Sequence, residues 1–431
     1  MPLFNVVPHP IETQLLANAN QRRADVVFDV TTDQVVAQSA GSARTLWSLI
    51  LDSSGSMSGG KMRALQEAVK GLLTHLPNDP KFELQVGFFH TYARELIPPT
   101  PAPQILADLR GAQRIIDRLK AEGTTSMGRG LDLALDAFRS RPDAIRRVLL
   151  LSDGEQQGDE SISRVYQVAR TINEIGGQIE AWGVGRDWNA DELGTIAALT
   201  GGTAAVIPTP DEMSDAIDLL LDDVVATAAQ EVTLLFRTPQ MYEILEVKQV
   251  YPNIAPAVAN KISDQEFAIP LGTVTGQGAK ILVRIQGVER PAGLAVRAIK
   301  PELRYLRDGV VNNEALPPSA NAFLKWVDDP TQIQPRDPVV ARFRGEEEVL
   351  RLQQEGFAAL EAGQTDLATA RLTEALEAAQ KSGSLATAQL QALFDPKTGQ
   401  LKGNANSVEV KTAKLLSGQT GRLSSHTGRL S

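Results

Sequence analysis

From Arg44 to about Thr227 the chain alternates apolar runs of strand length with amphipathic stretches of helix length, and this alternation limits the fold more than any other feature. Strands read at 45–51, 82–89, 146–152, 178–184 and 203–207. Helices read at 61–75, 105–120, 127–139, 160–175, 190–200 and 211–227. Such a pattern builds a mainly parallel sheet with helices on both faces. Ligands of open α/β sheets bind beyond the carboxyl ends of the strands. Two of those ends carry an aspartate. Leu46-Trp47-Ser48-Leu49-Ile50-Leu51 runs into Asp52, and Val148-Leu149-Leu150-Leu151-Ser152 runs into Asp153. Chain direction alone therefore brings both carboxylates to one rim.

After residue 228 the apolar period falls to two. Half-buried strands read at 231–236, 244–250, 265–269, 279–285 and 294–298, split by Pro and Gly turns. That stretch is thin for a sandwich, so the β-type runs of residues 1–43 (Asp25 to Val30, then Val35-Val36) are expected to complete it. The expected organisation is multi-domain α/β plus β. A Rossmann-like domain at 44–227 is inserted in, or precedes, a small β-sandwich made from 1–43 and 228–327. A Pro- and Asp-rich linker follows at 328–338, then a helical hairpin region at 339–395 turning at Gly363, then a flexible basic tail at 396–431.

Composition removes several classes of function. Net charge is −9, which argues against nucleic acid as the main partner. Zero cysteines excludes disulfides and cysteine-ligated metal centres. No run reaches the ~18 apolar residues a membrane span requires. The first ten residues lack a basic segment leading into an apolar core, so no secretory signal is read. Together these point to a cytoplasmic protein that engages no membrane.

The loop after the first strand, Asp52-Ser53-Ser54-Gly55-Ser56, sets a carboxylate and two hydroxyls at alternate positions. Oxygen ligands on a turning backbone suit a hard divalent cation. A third hydroxyl comes from Gly123-Thr124-Thr125-Ser126-Met127-Gly128-Arg129-Gly130, and Asp153-Gly154 closes the set. In this order, the three segments resemble the metal-ion-dependent adhesion site of von Willebrand factor A (VWA) domains of bacterial intracellular type, over roughly residues 44–227. The resemblance implies Asp52, Ser54, Ser56, Thr125 and Asp153 as the metal site, with Thr124 the fallback for Thr125. It implies Mg²⁺, with Mn²⁺ or Ca²⁺ as alternatives, and an exposed Asp or Glu of a partner protein completing the coordination shell. The bland reading is that Asp52 and Ser54 cap the following helix, which explains none of the long-range match.

Enzymatic readings fit poorly. A dehalogenase-type phosphatase needs a second Asp where Ser54 stands. A serine hydrolase needs a base, and the four histidines are His9, His75, His90 and His426, of which His90 reads as structural. Ser56 lacks the nucleophile-elbow spacing, and no phosphate-binding loop with Lys occurs. Glu155 and Asp159 read as a solvated acidic rim, and Trp182 and Trp188 as packing. The expectation is a non-enzymatic interaction scaffold. The alternatives are an accessory subunit of a AAA-type ATPase complex and an adhesin.

The tail repeats Thr-x-basic-Leu at Thr412, Thr420 and Thr427 and holds six Lys/Arg against one acidic residue. A threonine phosphate adds ~1.5–2 negative charges, and forkhead-associated domains read such a group with Arg clusters plus the residue three places on. Leu415, Leu423 and Leu430 occupy that place. The tail therefore offers phosphorylation sites for a Ser/Thr kinase and a forkhead-associated partner, beside the plainer reading of a solvated basic tail.

Overall fold

A computed structural model describes residues 3–17, 23–33, 43–157, 159–185, 188–207, 212–227, 229–256, 260–274, 278–402 and 407–420. Chain contacts divide it into two units. Of the described residues, one unit comprises those within 1–40, 231–305 and 311–425, and the other those within 41–230 and 306–310.

The first unit begins with β1 (Phe4–His9), β2 (Glu12–Leu16) and β3 (Arg23–Thr32). These strands do not form a sheet of their own. β3 pairs antiparallel with β1, while β2 lies in another sheet, against residues 323–327. The expected run at Val35-Val36 lies outside the described residues.

The second unit is a six-stranded sheet. Its strands are β4 (Thr45–Asp52), β5 (Phe82–Phe89), β6 (Ala93–Pro101), β7 (Ile145–Ser152), β8 (Gly177–Val184) and β9 (Ala204–Ile207). The order is β6-β5-β4-β7-β8-β9, with β6 antiparallel and the others parallel. All eight residues of β4, of β7 and of β8 are buried, as a sheet covered by helices requires. The helices are α1 (Gly60–His75), α2 (Ala102–Ala107), α3 (Leu109–Ile116), α4 (Met127–Arg139), α5 (Ile162–Glu174), α6 (Ala190–Ala198) and α7 (Met213–Val225). This is a Rossmann-like α/β fold.

Two details differ from the sequence reading. β6 carries three prolines and exposed residues, a pattern that hides a strand from periodicity and that a sheet edge tolerates. The helix expected at 105–120 breaks at Asp108, whose carboxylate accepts the Gly111 N–H at 3.1 Å and starts α3 anew.

The chain then returns to the first unit. Its strands are β10 (Ala229–Arg237), β11 (Tyr242–Tyr251), β12 (Ala255–Pro256), β13 (Asn260–Ser263), β14 (Glu266–Val274), β15 (Ala279–Gly287), β16 (Val296–Arg307), β17 (Val310–Ala315) and β18 (Ala322–Val327). One sheet runs β1-β3-β15-β11-β12 and the other β13-β14-β10-β16-β18-β2, with β17 on β16. Phe28 of β3 meets Phe236 of β10 at 4.7 Å, and Phe4 of β1 meets Tyr305 of β16 at 5.2 Å. Aromatic side chains from the two sheets thus form a shared core. β3 supplies an inner strand of this sandwich, held in register from Ala279↔Val30 to Gln286↔Arg23.

α8 (Pro338–Glu361) and α9 (Thr365–Ser382) form the hairpin, reversing at Gly363 with φ +72°. α10 (Ala386–Ala392) follows. Val340 and Phe343 of α8 pack on Val27, Val250 and Leu282 of the sandwich. The region expected to be a flexible tail differs from that reading over its described part. Val408–Leu415 forms α11, started by the Ser407 hydroxyl accepting the Val410 N–H, with Val410, Ala413, Leu415 and Leu416 buried. These apolar residues are few and are diluted in the tail's overall composition. Among the described residues no helix is long and apolar enough to cross a membrane.

Candidate metal centre

The carboxyl ends of β4 and β7 lie side by side, Leu51 opposite Leu151. From β4 the sheet continues one way to β5 and the other way to β7, the switch of direction at which open sheets bind ligands. At this point Asp52 ends β4, Ser54 and Ser56 follow it, Asp153 follows β7, and Thr125 precedes α4.

The five side chains predicted from the sequence come together. Ser54 and Ser56 hydroxyls are 3.0 Å apart, and Ser56 Oγ donates to Asp153 Oδ1 at 2.6 Å. Asp52 Oδ1 accepts the Ser54 N–H at 2.7 Å. A Cβ on Gly154 would stand 3.4 Å from Thr125 Oγ1 and 3.8 Å from Ser56 Oγ, so both hydroxyls border the same small space. Thr125 rather than Thr124 takes this position. Thr124 Oγ1 instead lies 3.3 Å from Thr91 Oγ1. Asp52, Ser54, Thr125 and Asp153 are buried, while Ser56 is exposed and opens the cluster to solvent.

Backbone contacts hold the loops in this arrangement. Gly55 N–H donates to Gly123 O at 3.1 Å and Glu122 N–H to Ser53 O at 2.8 Å, tying the first loop to the second. Gly123 has φ +73°, and a Cβ there would fall 2.4 Å from Thr91 Oγ1, so only glycine fits. The loop after β7 steadies the start of α4. Gln156 Oε1 accepts the Met127 N–H at 2.8 Å, and Glu160 Oε2 accepts the Gly128 N–H at 2.9 Å. On the rim, Glu155 is exposed, and Asp159 pairs with Arg129 at 2.9 Å. His90 is buried, stacked on Phe88 and edge-to-face with Tyr92. Trp182 and Trp188 are core residues.

Two participants escaped the sequence reading. Ser152 Oγ donates to Asp52 Oδ2 at 2.6 Å, bridging the two strand ends. Lys61 Nζ lies 2.5 Å from Asp153 Oδ2. A signal for Lys61 existed, since a cation in the first turn of a helix opposes the helix dipole and needs an anion nearby.

Burial pushes the Asp52 carboxyl up to about 6, against hydrogen bonds from Ser152 and Ser54, and the neighbouring Asp153 charge adds to the rise. Among the described residues no three His, Cys, Asp or Glu side chains gather as a metal set. An ion here would depend on hydroxyl oxygens together with two carboxylates. That all-oxygen set, with two buried carboxylates, fits a hard divalent cation.

Residues 48–206 match the family model described as von Willebrand factor type A domain. The chain contains a von Willebrand factor type A domain. Such domains are general protein-interaction modules, and proteins that carry them are usually not enzymes. The chain is 30% identical over 165 residues to an uncharacterized protein of Synechocystis sp., covering 38% of each. It is 27% identical over 166 residues to inter-alpha-trypsin inhibitor heavy chain H2 of Mus musculus, covering 36% of this chain and 17% of that protein. The matched part thus spans well under half the length of these curated relatives. A solved structure described as von Willebrand factor type A from Catenulispora acidiphila is similar in fold across 97% of both chains, with a TM-score of 0.81 at 24% identity. The ArnB paralog VWA2 from Sulfolobus acidocaldarius is similar over 98% of both, with a TM-score of 0.55 at 15% identity.

Of the tail threonines, Thr412 lies on α11 and is half-buried. Thr420 is buried, its hydroxyl donating to Val250 O at 2.5 Å and its N–H to Pro252 O at 2.8 Å. Thr427 lies outside the described residues.

Proposed function

We propose that the VWA domain binds a partner protein through a divalent cation, Mg²⁺ in the first instance, at a metal-ion-dependent adhesion site. Ser54, Ser56 and Thr125 offer neutral hydroxyl oxygens, and Asp52 and Asp153 supply the charge. Neutral ligands donate less charge than carboxylates, so the ion remains electrophilic and accepts an Asp or Glu from the partner. The observation that carries this reading is the meeting of all five oxygen side chains on one rim, within hydrogen-bond distance from Ser54 through Ser56 to Asp153, with Ser56 open to solvent. Capture of partner proteins by wild type and Asp52→Ala, each in Mg²⁺ and in chelator, tests it. Specific capture by wild type in Mg²⁺ alone is the expected result, and capture that ignores both chelator and substitution overturns the reading.

The tail carries a separate part of this proposal, in which a Ser/Thr kinase modifies Thr412, Thr420 or Thr427 and a forkhead-associated partner binds the product. Thr420 becomes accessible to a kinase only when it leaves Val250 and Pro252, because its hydroxyl and N–H are both engaged there. Titrating phosphorylated and plain tail peptides against forkhead-associated domains tests it, and equal affinities would remove the idea.

A further inference from the structure

Lys61 stands at the second position of α1, where its charge is unfavourable to the helix. Its ammonium instead reaches Asp153 Oδ2 at 2.5 Å, while Ser56 Oγ occupies Asp153 Oδ1 at 2.6 Å. The carboxylate is fully buried and the lysine side chain 23% exposed, so the ammonium approaches from the solvent side. Gly185 leaves room for it. A Cβ there would stand 3.1 Å from Lys61 Cε, and Gly185 has φ +78°, a conformation that side-chain-bearing residues rarely adopt. Both oxygens of Asp153 are thereby engaged within the chain itself.

We propose that Lys61 is a built-in competitor for the divalent cation. In the ion-free domain its ammonium neutralises Asp153, which lies buried beside Asp52 and has no other cation against it among the described residues. When the ion enters, two cations crowd one carboxylate, and the lysine swings toward solvent. Metal affinity is therefore set lower than the oxygen set alone would give, and occupancy follows the free ion concentration. This inference rests on the metal-binding reading above and adds to it the residue that tunes the site.

Calorimetric titration of MgCl₂ into the full chain tests the idea with wild type, Lys61→Met, Lys61→Arg and Asp52→Ala. Lys61→Met removes the charge but keeps the apolar stem, and is expected to bind Mg²⁺ at least tenfold more tightly. Lys61→Arg keeps the charge and should bind no more tightly than wild type, and Asp52→Ala should not bind. In chelator, Lys61→Met should melt below wild type, because Asp153 loses its counter-charge, and saturating Mg²⁺ should reverse that order. Lys61→Gln gives the same comparison should the Met variant not fold. Equal or weaker binding by Lys61→Met, with Asp52→Ala still inactive, overturns the competitor while leaving the metal site intact. Tighter binding by both Met and Arg variants overturns it in favour of a packing effect. No binding by wild type and Lys61→Met alike overturns the metal reading and the competitor together.

Discussion

Asp52 of the VWA domain and Asp25 of the sandwich are both aspartates withdrawn from water, yet their surroundings act in opposite directions. Burial raises Asp25 too, but hydrogen bonds and charges from Arg284 and Arg344 outweigh it and hold the carboxyl below its ordinary 3.8. Four guanidinium N–H groups reach Asp25, at 2.9 and 3.3 Å from Arg284 and at 3.1 and 2.9 Å from Arg344. Asp52 receives only neutral donors, from Ser152 and Ser54, and its carboxyl rises to about 6. The difference separates a carboxylate compensated within the fold from one that the proposed metal reading would use. Asp25 joins β3, β15 and α8 by compensated ionic contacts. Asp52 is hydrogen-bonded by serines and has no guanidinium or ammonium contact among the described residues.

Removing each carboxylate should therefore change stability in opposite directions. The largest effect is expected for Asp25→Ala, which leaves two guanidinium groups without this anion. Losing one partner of a buried ion pair costs ~3–5 kcal/mol. Partial exposure at Arg284 (31%) lowers the expectation to about 3 kcal/mol for the sandwich unit. Denaturant unfolding followed by hydrogen exchange in β3 and α8 measures it. A loss under about 1 kcal/mol would erase the contrast.

Asp52→Asn should do the reverse in chelator. A rise from 3.8 to about 6 corresponds to about 3 kcal/mol of unfavourable ionisation at neutral pH, so the amide should stabilise the ion-free VWA unit by about 2 kcal/mol. The same variant should lose Mg²⁺ binding. Thermal unfolding in chelator decides the matter, and a lower melting temperature would show that Asp52 serves the fold rather than the ion.

The smallest expected effect is a divergence in pH dependence. For Asp52 the folded pKa is raised, so its stabilising contribution is complete below 3.8 and disappears as pH climbs through about 6. For Asp25 the folded pKa is lowered, so its contribution is complete above 3.8 and is lost as pH falls further. In chelator, acidification from pH 7 to 4.5 should strengthen protection in β4 and β7 while leaving β3 and β15 unchanged. Hydrogen exchange corrected for intrinsic rates reads both units in one sample, and parallel trends would break the comparison.

Legibility in the sequence followed the range of the interactions. β4 and β7 were visible because a strand covered on both faces is apolar almost throughout, and the polar residue that ends it stands out. β6 was not visible, because an edge strand with prolines has neither the apolar density nor the alternation that periodicity detects. α11 was missed because its buried residues are few and lie in a tail otherwise rich in Gly, Ser and basic residues. Lys61 and Ser152 went unread as members of the site, since each acts on a carboxylate about a hundred positions from it.

The local order of residues determined that two parallel strands would end in aspartates on one rim, because strand direction and helix crossover follow from periodicity alone. Which neighbours those aspartates meet was decided by tertiary structure. Hydroxyls, an ammonium or a pair of guanidinium groups can each face a carboxylate. The choice depends on which loops and helices close over the strand ends, and electrostatics in a buried space acts on distance rather than on position along the chain.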